Sequence, residues 1–126
     1  MTDEQLNYLR TVYPKIFTEG SNDVYCGTGW FDIVRMMCRN IQSHLDWKPD
    51  VKQVTVSQIK EKFGTLRFYY EGGDEYISGI ASMAEAMSEI TCEECGKPGE
   101  LRQGNWMKVL CDEHNEQREA RRKNAG

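Results

Sequence analysis

Two short motifs near the C-terminus constrain this chain more than any other feature. Cys92-Glu93-Glu94-Cys95-Gly96 is a C-x2-C pair and Cys111-Asp112-Glu113-His114 is a C-x2-H pair, with residues 96–110 between them. Zn²⁺ has no d-electron preference and settles into a tetrahedron of thiolates and imidazoles, so it needs four such groups from two places in a chain. Two-residue spacing lets each pair reach the same ion. Cys92, Cys95, Cys111 and His114 therefore read as the ligands of one zinc per chain. Four protein ligands leave no open coordination position, which makes the ion structural rather than catalytic. The alternative, a set of unrelated or disulfide-bonded thiols, requires both spacings to coincide by chance in a short segment.

Gly96, directly after Cys95, suits the tight turn of a zinc knuckle, in which backbone N–H groups point at thiolate sulfurs. The second pair opens a helix: from Asp112 to Lys123 there is no Gly or Pro, acids lie in the first turn and bases in the last. Between the pairs, Glu100-Leu101-Arg102 and Trp106 to Leu110 flank Gln103-Gly104-Asn105, which predicts a β-hairpin. Knuckle, hairpin and ligand-bearing helix together resemble a treble-clef zinc finger.

At 126 residues the chain suits a single domain that buries about two-thirds of its unfolded surface, with the finger attached. No run of apolar residues is long enough for a membrane span, and Met1-Thr2-Asp3-Glu4-Gln5 lacks the basic and apolar regions of a signal peptide. The reading is a soluble, cytoplasmic protein. Of the five cysteines, zinc takes three, which leaves Cys26 and Cys38 as thiols in a reducing compartment. The 16 basic and 20 acidic residues are unevenly spread, with Arg118, Arg121, Arg122 and Lys123 gathered at the C-terminal end. An acidic body argues against a protein that coats duplex nucleic acid, where phosphate neutralisation supplies most of the affinity.

Taken in order, residues 3–13 read as a short amphipathic helix with Leu6, Leu9 and Tyr13 on one face, ended by Pro14. Pro14 to Gly29 reads as a loop pinned by Phe17 and Tyr25. A main helix follows, to about Leu45, with Phe31, Val34, Cys38, Ile41 and Leu45 on one stripe and Trp30, Ile33 and Met37 widening it. Residues 51–70 form a long β-hairpin turning at Gly64, with a bulge near Ser57 or Gln58 where the alternation of Val54 and Val56 gives way to that of Ile59 and Phe63. After Gly72-Gly73, Asp74 caps a helix to about Ile90, with Tyr76, Ile80, Met83, Met87 and Ile90 as its buried stripe. The fold class is α+β: helices packed on a β-hairpin in a body of residues 1–90, then a zinc finger, 91–126, docked on that body.

Candidates for chemistry are few. Cys26 before a helix, with His44 as base, would make a nucleophilic pair, but availability alone supports it. Gly27-Thr28-Gly29 hints at an anion loop, yet Asp32 replaces the third glycine and no strand is expected before it. Some treble clefs scaffold nuclease sites, but His114 is spent on zinc and the other histidine lies far upstream. The chain reads as non-enzymatic, with no small-molecule substrate. The stretch from Lys60 to Tyr70 alternates cations with aromatics. If Phe63, Phe68 and Tyr70 face the core, Lys60, Lys62, Arg67 and Tyr69 remain to meet a partner.

Over most of its length the chain resembles a group of small proteins encoded by bacteriophages and prophages. The resemblance rests on Gly29-Trp30-Phe31, on Lys60 through Tyr70, on Gly73-Asp74, on Cys92 through Gly96 and on Leu110-Cys111-Asp112. It carries over no catalytic residue. It implies a context, the host cell cytoplasm, where small phage proteins bind and redirect host or phage proteins, including defence systems. Two functions follow as expectations. The first is a zinc-stabilised protein-interaction module; the second is a single-stranded nucleic-acid binder using the 60–70 hairpin and the basic C-terminal helix.

Overall fold

The computed structural model describes residues 1–18 and 23–125. The chain runs α1 (Asp3–Val12), β1 (Asp23–Tyr25), a 3-10 turn (Thr28–Trp30), α2 (Phe31–Trp47), β2 (Thr55–Lys62), β3 (Thr65–Glu71), α3 (Glu75–Ser88), β4 (Glu100–Arg102), β5 (Lys108–Leu110) and α4 (Asp112–Ala125). The class is α+β, as the sequence predicts. No helix among the described residues is long and apolar enough to cross a membrane.

The body is a three-stranded sheet in the order β1-β2-β3 with α2 packed on it. Val34, Met37, Cys38, Ile41 and Leu45 of α2 are buried with Val54, Val56, Ile59 and Leu66. Each such aliphatic side chain removed from water contributes about 1.5–3 kcal/mol, so this layer is the main source of stability. The hairpin register shifts between Val56 and Gln58, leaving Ser57 as the extra residue of a bulge. That kink lets Val56 and Ile59 both reach the core. Thr2 and Gln5 form a reciprocal capping box that starts α1.

Three expectations need correction. Residues 14–29 are not loop throughout: Asp23–Tyr25 form β1, parallel to β2 in the register Asp23↔Gln58, Val24↔Ile59, Tyr25↔Lys60. Parallel strands require a crossover, and α2 supplies it. In this strand Val24 faces the core and Tyr25 faces out, 64% exposed, so Tyr25 does not pin the segment; Phe17 is buried as expected. The stretch 19–22 of the expected loop lies outside the described residues.

The second correction concerns Phe63, which is not core. It sits at the hairpin tip, exposed, with φ 52°, next to Gly64 with φ 86°. Consecutive residues in the left-handed region make the turn that matches strand twist, and Asn or Gly tolerate it better than a bulky side chain. Phe63→Asn is therefore expected to stabilise the protein by about 0.5–1 kcal/mol, after the loss of a Lys62 cation–π contact of 5.9 Å. Urea unfolding checks this; an unchanged or lower midpoint means that the ring makes contacts which outweigh the turn strain.

The third concerns α3. Tyr76, Met83, Met87 and Ile90 are exposed and Ile80 is half-buried, while Ile77, Ala84 and Ser88 are the buried residues. The helix lies against edge strand β3, where the Ser88 hydroxyl accepts from the Leu66 N–H at 2.9 Å. Small residues permit that approach, and the exposed strand edge is thereby covered. Asp74 caps α3 by accepting from the Ile77 N–H, and its carboxylate meets His44 at the end of α2, at 2.8 Å. The hydrogen bond to His44 holds the Asp74 carboxyl below its ordinary value. A depressed folded-state value stabilises the fold above the unfolded carboxylate range, and the gain fades as pH falls through the folded value. Asp74→Asn keeps the cap and removes the charge, so its melting temperature should lie below that of the parent near neutrality and converge with it in acid. Parallel melting curves from pH 7 to pH 2 would contradict this.

Candidate metal centre

Residues 92–96 form a turn closed by Gly96 N–H donating to the Cys92 carbonyl at 2.9 Å, with Gly96 at φ 81°. The chain then crosses to β4, turns, and returns as β5 in the register Glu100↔Leu110, Leu101↔Val109, Arg102↔Lys108. Cys111 follows β5 at once and α4 starts at the next residue. Arg102 fastens this junction, donating from Nε to the Leu110 carbonyl (3.2 Å) and from Nη2 to Asp112 (2.8 Å).

This arrangement brings Cys92, Cys95, Cys111 and His114 together, with one ligand atom from each lying within 4.8 Å of all the others. Cys95 Sγ is 3.8 Å from Cys111 Sγ, and His114 Nδ1 is 3.2 Å from Cys111 Sγ and 3.7 Å from Cys92 Sγ. Ligands about 2.3 Å (sulfur) and 2.0–2.1 Å (nitrogen) from a central ion stand about 3.5–3.8 Å apart along the edges of a tetrahedron. The four donors fit a metal ion. A disulfide would require sulfurs at about 2.05 Å, and all five cysteines are free thiols.

Local electrostatics favour charge on the innermost sulfur. Burial opposes ionisation of Cys92, yet backbone N–H groups of Cys111, Cys95 and Glu94 outweigh it and hold the thiol below its ordinary range. At Cys95 a backbone donor at Lys97 is overcome by desolvation and by the neighbouring sulfurs, and the thiol lies above its range. One thiolate thus disfavours the next, and a cation at the centre relieves that repulsion.

The sequence reading missed what seats this unit. Glu93, a spacer by its position in the motif, is 4% exposed. Its Oε2 accepts from the Gly27 N–H (2.8 Å) and its carbonyl from the Gly29 N–H (2.7 Å). Burial pushes its carboxyl up, and Oε1 has no partner among the described residues. Alongside, the Trp30 indole N–H donates to the Thr91 carbonyl (2.9 Å) and the Thr28 hydroxyl to the Glu94 carbonyl (3.2 Å). Gly27-Thr28-Gly29 is a cradle for the knuckle, and only a glycine cradle paired with a short acid-bearing knuckle could have signalled it.

The other candidates separate. Cys26 lies before α2 and His44 near its far end, about 20 Å away along a helix rising 1.5 Å per residue. Burial pushes the Cys26 and Cys38 thiols up to about 12, so both are neutral core groups. On the open face of the sheet, Tyr25, Lys60 and Arg67 form one cross-strand row, and Gln58 and Tyr69 sit in the next. Arg67 is committed to Glu85 of α3 at 2.5 Å; Lys60 is half-buried, and Lys62 and Tyr69 are exposed. Between α2 and α3 runs a groove of about 430 Å³, lined by Ile33, Met36, Met37, Ile80, Met83 and Met87.

No protein-family model, characterised protein or solved structure matches the chain. The chemistry of its own surfaces carries the functional reading.

Proposed function

We propose that the chain is a non-enzymatic protein-interaction module stabilised by one zinc ion in a treble-clef-like finger. Three thiolates and an imidazole in a tetrahedron suit Zn²⁺ above harder cations, and four protein ligands leave it no position for substrate. The observation that carries the binding reading is the methionine-lined groove. Met36, Met83 and Met87 are 38%, 62% and 47% exposed, and they stand on two helices packed side by side. Methionine is flexible and polarizable, and such grooves accept the apolar face of a partner helix. α3 carries Glu75 and Glu85, with Glu89 just after it, and no basic residue, which favours a helix with basic flanks. The resemblance to phage-encoded proteins makes a host protein the first place to look.

The test is photo-crosslinking from position 83 in host lysate, with nuclease treatment and washes at low and high salt. A protein partner should survive nuclease and be retained in salt, because an apolar interface is little screened. Met87→Glu should cut its recovery about tenfold or more, since an unpaired carboxylate would be buried on binding. Recovery that is nuclease-sensitive, or equal for the variant, would sink the reading.

A further inference from the structure

Another concave surface with chemistry of its own lies on the finger. β5, the turn before it and α4 enclose a pocket of about 340 Å³ lined by Glu94, Trp106, Lys108, His114, Arg118 and Arg121. Trp106 is 66% exposed beside it. Lys108 and Glu94 neutralise each other at 2.8 Å. Arg118 is held in place by Nη2, which donates to the Trp106 carbonyl, while its Nη1 is buried with no hydrogen-bond partner among the described residues. Arg121 makes no hydrogen bond or salt bridge among the described residues. Arg122, one position on, is engaged by Glu119.

We propose that this pocket binds a nucleotide unit, with its base stacked on Trp106 and its phosphate held by Arg118 and Arg121. An indole face accepts any base, and guanidinium forks match phosphate oxygens in a way that a lysine ammonium does not. A carboxylate ligand would use the arginines and leave the indole without a partner. The volume is at the small end for ligand pockets, which suits one nucleotide at a time. Three thiolates around a dipositive ion leave a negative charge below the pocket. The two arginines outweigh it on the side where a phosphate would sit, and the Lys108–Glu94 pair adds no net charge. The site does not depend on the protein partner proposed above, and its residues are distinct from those lining the groove between α2 and α3.

The metal-loaded full chain is titrated with inorganic phosphate, with AMP and with a short single-stranded DNA, following NMR shifts and tryptophan emission. Shifts are expected at residues 106–108 and 118–121 with AMP or DNA. Equal affinity for the two identifies a free nucleotide as ligand, and tighter DNA binding identifies a strand. Trp106→Ala should weaken binding about tenfold, with Trp106→Phe retaining most of it. Arg121→Ala should reduce the salt slope of DNA binding by about 0.7. Both variants alter exposed side chains, so an unchanged melting temperature and Co²⁺ spectrum verify the fold. The proposal is overturned if neither AMP nor DNA binds at low salt, if phosphate alone binds as well as AMP, or if Trp106→Ala binds as the parent does.

Discussion

Cys95→Ser is expected to release the metal and unfold residues 91–125 while the three-stranded sheet keeps its structure. Apart from its cysteines, the buried apolar side chains of the finger are Val109 and Leu110. They contribute about 1.5–3 kcal/mol each, well short of the apparent binding energies of about 10–16 kcal/mol for structural zinc, so the metal is the larger source of the finger's order. Hydrogen exchange should show protection lost across β4, β5 and α4 and retained in β2 and β3. The first turn of α2 should loosen as well, because Gly27, Gly29 and Trp30 lose their acceptors on Glu93 and Thr91. Elemental analysis of the parent protein should give about one zinc per chain, and Co²⁺ substitution should give the absorption of a tetrahedral thiolate site. A metal-free parent would remove zinc from the account. Equal loss of protection in the hairpin of residues 55–71 would mean that finger and body fold as one unit.

The ligands were legible because metal chemistry writes itself locally: two pairs, each spaced to reach one ion. The α2 stripe was legible for a related reason, since a wide apolar face over seventeen residues has few other uses. The α3 stripe failed on the same logic. Periodicity marks an apolar face but cannot say whether the fold itself covers it, and here the small Ala84 and Ser88 took the buried side because they allow close approach to β3, with Ile77 filling the core on the same side. What looked like core, Met83 and Met87, became the wall of a groove. β1 was illegible because three residues show no alternation, and its pairing with β2 is set by the α2 crossover rather than by local sequence. Phe63 was misassigned by extending strand alternation into a turn.

Gly27-Thr28-Gly29 teaches the complementary lesson. Its glycines stood out in the sequence, and an anion loop was the nearest known use for them, but the group that approaches them is the backbone of the metal knuckle. A carbonyl and a carboxylate of Glu93 sit where a phosphate would. The segment does bind acceptor oxygens, and they belong to the same chain.

Gly29→Ala is the second change expected to have a large effect, and it separates docking from coordination. A Cβ at position 29 would stand 2.2 Å from the Cys92 carbonyl oxygen, 2.6 Å from that of Glu93 and 2.6 Å from the Gly96 nitrogen. All three are backbone atoms of the turn that presents Cys92 to the metal. None can rotate away as a side chain would, so relief requires the knuckle to move off the body as a unit. Overpacking a core typically costs about 1–3 kcal/mol where side chains can adjust, and with rigid backbone on the far side the loss should reach about 3 kcal/mol or more. The ion holds the finger together from within, so metal content should stay near one per chain while melting temperature falls. Trp30, fully buried with its indole on Thr91, should become accessible and shift its emission to the red. Gly79→Ala is the control, since a Cβ there meets nothing within 4 Å on exposed α3 and should stabilise the helix by about 0.5–1 kcal/mol. If Gly29→Ala melts with the parent and keeps Trp30 buried, the cradle does not hold the finger. If it loses the metal together with the docking, coordination depends on the body and the two cannot be separated.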